Sequence, residues 1–285
     1  MTEGGNSAHG FTIVETLIVL AVTSALLLSA MLLINGRQNK TQFQTSINNL
    51  QQQIQQIINE TSSGFYPNGG NVFSCTSTSG AAPIISSAAP NEQGTNGDCV
   101  FLGKAIRFGG GSNETFTVYP IAGNRLDIAG KEVTTLAAAH PTVIATGSIT
   151  NATTPEVSTT FNTEGGLSFV SASYNGGALS ATPPISAIAF VGSLGSYDTA
   201  TKLLNSGAQQ LSLYGFGSGT YSWSSASAGP TVVDAMNKNG LLGAPYSTVG
   251  ICFASGTTNQ SGLLTIGNNG SLGVGLRIFQ GATCS

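Results

Sequence analysis

The feature that most constrains this chain is an apolar run of 24 residues, Phe11 to Ile34, in which Glu15 is the only charge. As an α-helix the run reaches about 36 Å, slightly more than the roughly 30 Å hydrocarbon core of a bilayer. It can therefore span a membrane. A carboxylate inside such a helix costs a few kcal/mol unless it is neutralised or paired, which makes Glu15 a functional candidate. The plain alternative is that Glu15 lies near enough to the helix start to reach the interface and to gain from the helix dipole.

The flanks decide what kind of segment this is. The leader Met1–Gly10 contains no Lys or Arg, whereas a secretory signal begins with a positive region and has an apolar core of only about 7 to 15 residues. An ordinary signal peptide fits poorly, and an uncleaved anchor stays open. Arg37 and Lys40, just beyond the run, would mark the cytoplasmic side by the positive-inside rule. More than 240 residues follow on that side, and long domains translocate largely regardless of flanking charge. The bulk of the chain is accordingly expected outside the cytoplasmic membrane.

The order of residues here, a short polar leader ending in Gly10, then Phe11, then an apolar helix with Glu15 four positions on, resembles the N-terminus of type IV pilins and pseudopilins. The resemblance covers about 25 residues and is specific in its combination of features; a leader without Lys or Arg departs from the family's usual pattern. It implies cleavage by a membrane-embedded prepilin peptidase between Gly10 and Phe11, N-methylation of Phe11, and assembly of the helices into a filament. In it, Glu15 would neutralise the N-terminal amine of a neighbouring subunit, and a buried charge in an apolar bundle is tolerable only when paired. A glycine before the cut suits a protease cleft that needs an extended backbone without Cβ.

Beyond the run, Asn35-Gly36 interrupts the apolar pattern without necessarily ending the helix, and a glycine there costs about 1 kcal/mol relative to Ala, so a flexible joint is expected. Phe43, Ile47, Leu50, Ile54, Ile57 and Ile58 then recur at spacings of three and four among Gln, Asn, Thr and Ser, the mark of an amphipathic helix. Gly64 and Pro67 would end it. The rod from Thr12 to about Ser62 would be on the order of 75 Å long. The expected organisation is a leader at 1–10, a transmembrane and assembly helix at 11–34, an amphipathic continuation at 35–63 and a β-rich extracellular head at 64–285.

The head reads as strands between Gly-, Ser- and Asn-rich turns. Thr115–Ile121, Thr142–Thr146, Ser186–Val191, Gln210–Tyr214 and Val249–Ala254 are expected strands, with strand-like pieces around Phe161 and Phe169. The stretch 64–98 reads as a loop-dominated excursion. At the C-terminus Val249–Ala254, Leu263–Ile266 and Gly273–Phe279 form a three-stranded meander with a turn at Asn269-Gly270. The fold class is α+β: a long N-terminal helix packed in its second half against a β-rich head.

Cys75, Cys99, Cys252 and Cys284 are an even set in a chain that reads as exported, favouring two disulfides among three possible pairings. Cys75–Cys99 and Cys252–Cys284 are preferred because each closes a local loop of about 25 to 33 residues, worth roughly 3 to 4 kcal/mol. These spacings contain no C-x-x-C and do not suit zinc.

Other chemistry finds little support. Charged residues are 7% of the chain against a usual 25% or so, so Ser, Thr, Asn, Gln and Gly must cover the surface, as suits an adhesive, polymer-forming or simply neutral secreted protein. A net charge of −3, with cations scattered singly, gives no footprint for nucleic acid. His140 lacks a nucleophile motif around it, Gly109-Gly110-Gly111 lacks the Lys-Ser/Thr of a phosphate loop, and Trp223 is a contact aromatic or a core one. No cofactor and no catalysis are expected. The expected partners are other subunits through the helix, prepilin peptidase, the pilus assembly machinery and membrane lipid before assembly. The main reading is a minor or tip-proximal filament subunit with an adhesive or other contact role. A pseudopilin of a secretion or DNA-uptake system, an uncleaved membrane-anchored adhesin and an anchored hydrolase are the competing ones.

Overall fold

A single helix dominates the fold. In the computed structural model, which describes residues 12–64, 73–76, 83–87, 99–108, 114–143, 149–150, 159–177, 187–194, 197–198, 203–204, 211–215, 245–268 and 271–284, helix α1 runs Ile13–Ser62. Its 50 residues span about 75 Å. Thr12 caps the start, its hydroxyl accepting the Glu15 backbone N–H at 3.3 Å. At the end, the Ser63 N–H donates to Asn59 O and Gly64 turns into the left-handed region at φ 67°, which glycine adopts without a Cβ penalty. Gly36 lies inside α1 with no break in the backbone. A penalty of about 1 kcal/mol is small beside the cooperative hydrogen bonding of a helix this long.

The two halves of α1 differ in exposure. Ile13–Met31 has a mean hydropathy of 2.2 and is 0% buried, with Leu17, Ile18, Leu20 and Leu26 all at about 60% exposure or above. Toward the other end, Phe43, Ile47, Leu50, Ile54, Ile57 and Ile58 are buried. They share one apolar cluster with Ile106, Phe108, Phe116, Ile188, Phe190, Ile251, Phe253 and Leu264.

The strands, in chain order, are β1 (Phe73–Thr76), β2 (Ile84–Ser87), β3 (Cys99–Phe108), β4 (Thr115–Asn124), β5 (Thr142–Val143), β6 (Ile149–Thr150), β7 (Thr159–Asn162), β8 (Leu167–Tyr174), β9 (Ala187–Gly192), β10 (Tyr197–Asp198), β11 (Leu203–Leu204), β12 (Leu211–Gly215), β13 (Val249–Ser255), β14 (Gln260–Asn268) and β15 (Ser271–Gln280). A short helix, α2 (Leu136–Ala139), precedes β5. The larger sheet has the order β12-β9-β3-β4-β5, with β7 also on β4; the second is β15-β14-β13-β8. Both are antiparallel throughout.

Strand periodicity explains how the larger sheet is covered on both faces. Ile106, Phe108, Ile188 and Phe190 face the cluster that contains α1. Ala105, Ala187, Ala189 and Val191, one residue out of phase, face a second cluster with Tyr119 of β4 and with Val133 and Ala139 of the Arg125–Val143 region. In the second sheet Ile251, Phe253, Leu264 and Ile266 point to the α1 side. Cys252, paired opposite Leu263, is one residue out of phase with them and lies on the other face.

Several expectations need correcting. The stretch 64–98 is not only loop: β1 and β2 pair in it as an antiparallel ladder, Phe73↔Ser87 to Thr76↔Ile84, and β6 adds in parallel. The C-terminal meander gains a fourth strand, β8, from far upstream. Strand β5 is described only over Thr142–Val143. Pro67, Gly109–Gly111, Asn269-Gly270 and Trp223 lie outside the described residues, although Asn268 of β14 pairs with Ser271 of β15.

Candidate functional site

Gly10 and Phe11 lie outside the described residues, so the site begins at Thr12. Thr12-Ile13-Val14-Glu15 has the S/T-x-x-E spacing of a helix-capping box, a signal the sequence carries and sequence reasoning missed. One half of the box is formed, from Glu15 N to Thr12 Oγ1. The carboxylate of Glu15 therefore sits in the first turn, where the helix dipole favours a negative charge.

The remaining polar side chains of Ile13–Met31 are hydroxyls, and each is satisfied within the helix. Thr16 donates to Ile13 O at 2.8 Å, Thr23 to Val19 O at 2.8 Å, Ser24 to Leu20 O at 2.7 Å and Ser29 to Ala25 O at 2.9 Å. This is how a helix carries hydroxyls through an apolar medium without orphan donors. Among the described residues Glu15 alone in this stretch has a side-chain polar group with no hydrogen bond. An exposed apolar rod with one unsatisfied carboxylate can do one chemical thing well, which is to accept a cation from outside the molecule.

Polar contacts set the register of the other half of α1. Gln51 Nε2 donates to Val274 O at 2.7 Å, and Val274 N donates to Gln55 Oε1 at 3.1 Å. Two glutamines one helical turn apart thus satisfy both backbone groups of one residue on the edge strand β15. Asn49 Nδ2 donates to Glu164 Oε2 at 3.3 Å. Close approach matters too: a Cβ on Gly262 would stand 2.3 Å from Ile47 Cδ1.

Lys104, on β3, is 4% exposed and donates to Glu60 near the end of α1. Gln56 Nε2 donates to the other carboxylate oxygen at 2.7 Å. Burial pushes the Glu60 carboxyl up, but the hydrogen bonds from Lys104 and Gln56 and the charge of Lys104 together hold it below its ordinary value of 4.5. Sequence reasoning passed over both residues, since nothing local marks a lysine in a strand as the partner of a glutamate 44 positions earlier.

Cys252 and Cys284 are disulfide-bonded with Cα atoms 5.8 Å apart. Both are nearly inaccessible. The bond fastens the C-terminal residues across the back of β13. Cys99 is disulfide-bonded as well; the side chain of Cys75 lies outside the described residues, and its pairing with Cys99 stays an expectation. His140 is the C-cap of α2, at φ 46°. Among the described residues no cluster of three or more His, Cys, Asp or Glu could hold a metal ion. Comparisons with protein-family models, with curated proteins and with solved structures each returned no match.

Proposed function

We propose that this chain is a structural subunit of a type IV pilus-like filament, cleaved between Gly10 and Phe11 and assembled through the first half of α1. The observation that carries the reading is Glu15: a carboxylate without a partner in an apolar rod whose every other polar side chain is internally satisfied. The amine that cleavage creates on Phe11 of a neighbouring subunit is a partner of the right charge, and an apolar bundle makes such a pair strong. The second half of α1, docked on the two sheets through its apolar stripe and through Gln51, Gln55 and Glu60, would hold the head rigidly outside the filament axis. Such a subunit waits in the cytoplasmic membrane with its head on the far side.

A head of this size, with few charges and a polar uncharged surface, favours a minor or tip-proximal subunit that makes contacts over one that only builds the shaft. Its role is structural and adhesive, with no catalysis. Replacing Glu15 tests this. Glu15→Ala is expected to leave membrane insertion and cleavage intact and to abolish recovery of the subunit in sheared filaments. Normal incorporation of that variant would overturn the role given to the carboxylate.

A further inference from the structure

We infer that Arg37 and Lys40 bind anionic phospholipid headgroups at the outer membrane–water boundary while the subunit waits for assembly. The inference rests on the membrane-spanning reading of α1. Because α1 is one uninterrupted helix, the depth of each residue follows from its number. The apolar segment from Ile13 to Ile34 covers about 33 Å and fills a hydrocarbon core of roughly 30 Å. Arg37 then stands about 4.5 Å and Lys40 about 9 Å beyond its end. The polar layer on each side of a bilayer is roughly 5 to 7 Å thick, and long basic side chains reach back toward it.

Both side chains are exposed, and three residues apart they share a helix face. Glu60, the carboxylate at the far end of α1, is engaged by Lys104, and Glu164 is engaged by Asn49, about two turns beyond Lys40. Two unpaired cations at headgroup depth fit an anionic surface by charge. An acidic residue of a second copy is the competing occupant. It is disfavoured because α1 itself offers only Glu15 and Glu60, and these are roughly 33 Å and 30 Å from Arg37 and Lys40 respectively along the rod.

The test uses the full chain reconstituted in phosphatidylcholine vesicles containing spin-labelled phosphatidylglycerol or spin-labelled phosphatidylcholine. The motionally restricted lipid around the helix should be enriched in the anionic probe, by about fivefold for each cation at low salt, and the preference should vanish in about 1 M salt. Arg37→Gln with Lys40→Gln should abolish it, and the charge-keeping exchange Arg37→Lys with Lys40→Arg should retain it. Equal restriction of both lipids by the unaltered chain, or a preference that survives the neutral variant, would overturn the inference. Self-association that disappears in the neutral variant, with no lipid preference, would assign the cations to a second copy instead. A chain that does not float with the vesicles would refute the membrane reading itself, a result distinct from flotation without preference.

Discussion

The ion pair between Lys104 and Glu60 should respond very differently to loss of one partner or the other. Lys104 is almost wholly buried, with a side chain 5% exposed, whereas Glu60 retains 26%. Glu60→Gln leaves an ammonium group inside the fold with no counter-charge, and breaking a buried pair this way costs about 3 to 5 kcal/mol. Lys104→Met keeps the stem volume and removes the charge. The carboxylate left behind can turn to water and keeps Gln56, so about 1 kcal/mol is expected, the scale of a partly exposed pair. The double variant should fall within about 1 kcal/mol of the unaltered chain, since an apolar isostere of a buried pair is often neutral. Urea unfolding of the full chain in mild detergent, followed by far-ultraviolet circular dichroism, gives all four values of this cycle. Equal losses for Glu60→Gln and Lys104→Met would refute the argument, because they would mean that the two charges are equally able to reach solvent.

The same pair gives a pH dependence. The folded-state pKa of Glu60 lies below its ordinary 4.5, so its contribution is complete above that value and is lost as pH falls through the depressed one; unfolding profiles between pH 6 and 3 should show this acid loss in the unaltered chain and a smaller one in Lys104→Met. Cys284→Ser opens a loop spanning a sequence separation of 32 residues and should cost about 3 to 4 kcal/mol, read as a lowered urea midpoint that reducing agent does not lower further for this bond.

What the sequence made legible follows the reach of its signals. The apolar run and the stripe from Phe43 to Ile58 repeat within a few residues, and they mark both halves of α1. The strands of the C-terminal meander alternate cleanly between turn residues, and β13, β14 and β15 stand where that pattern puts them. Strand β3 was not anticipated, although it is central to the larger sheet. It carries Gly103, Lys104 and Arg107 in the interior, and these obscure a buried strand when read by polarity alone. Lys104 becomes intelligible only through Glu60, and the place of the strand-like piece around Phe169, which is β8, only through its pairing with β13 some 80 residues later. Gly36 sits where the sequence left helix and joint both open, and α1 runs through it. The capping box at Thr12 and Glu15 is a local signal too, a hydroxyl three residues before a glutamate.

The central claim is that this rod is processed and exported into a fibre, and the mass of the N-terminal peptide in material sheared from the cell surface tests it most directly. The account requires a chain that begins at N-methylated Phe11 in that fraction. A chain that retains Met1 and is found only in membranes would contradict it and leave an anchored monomer.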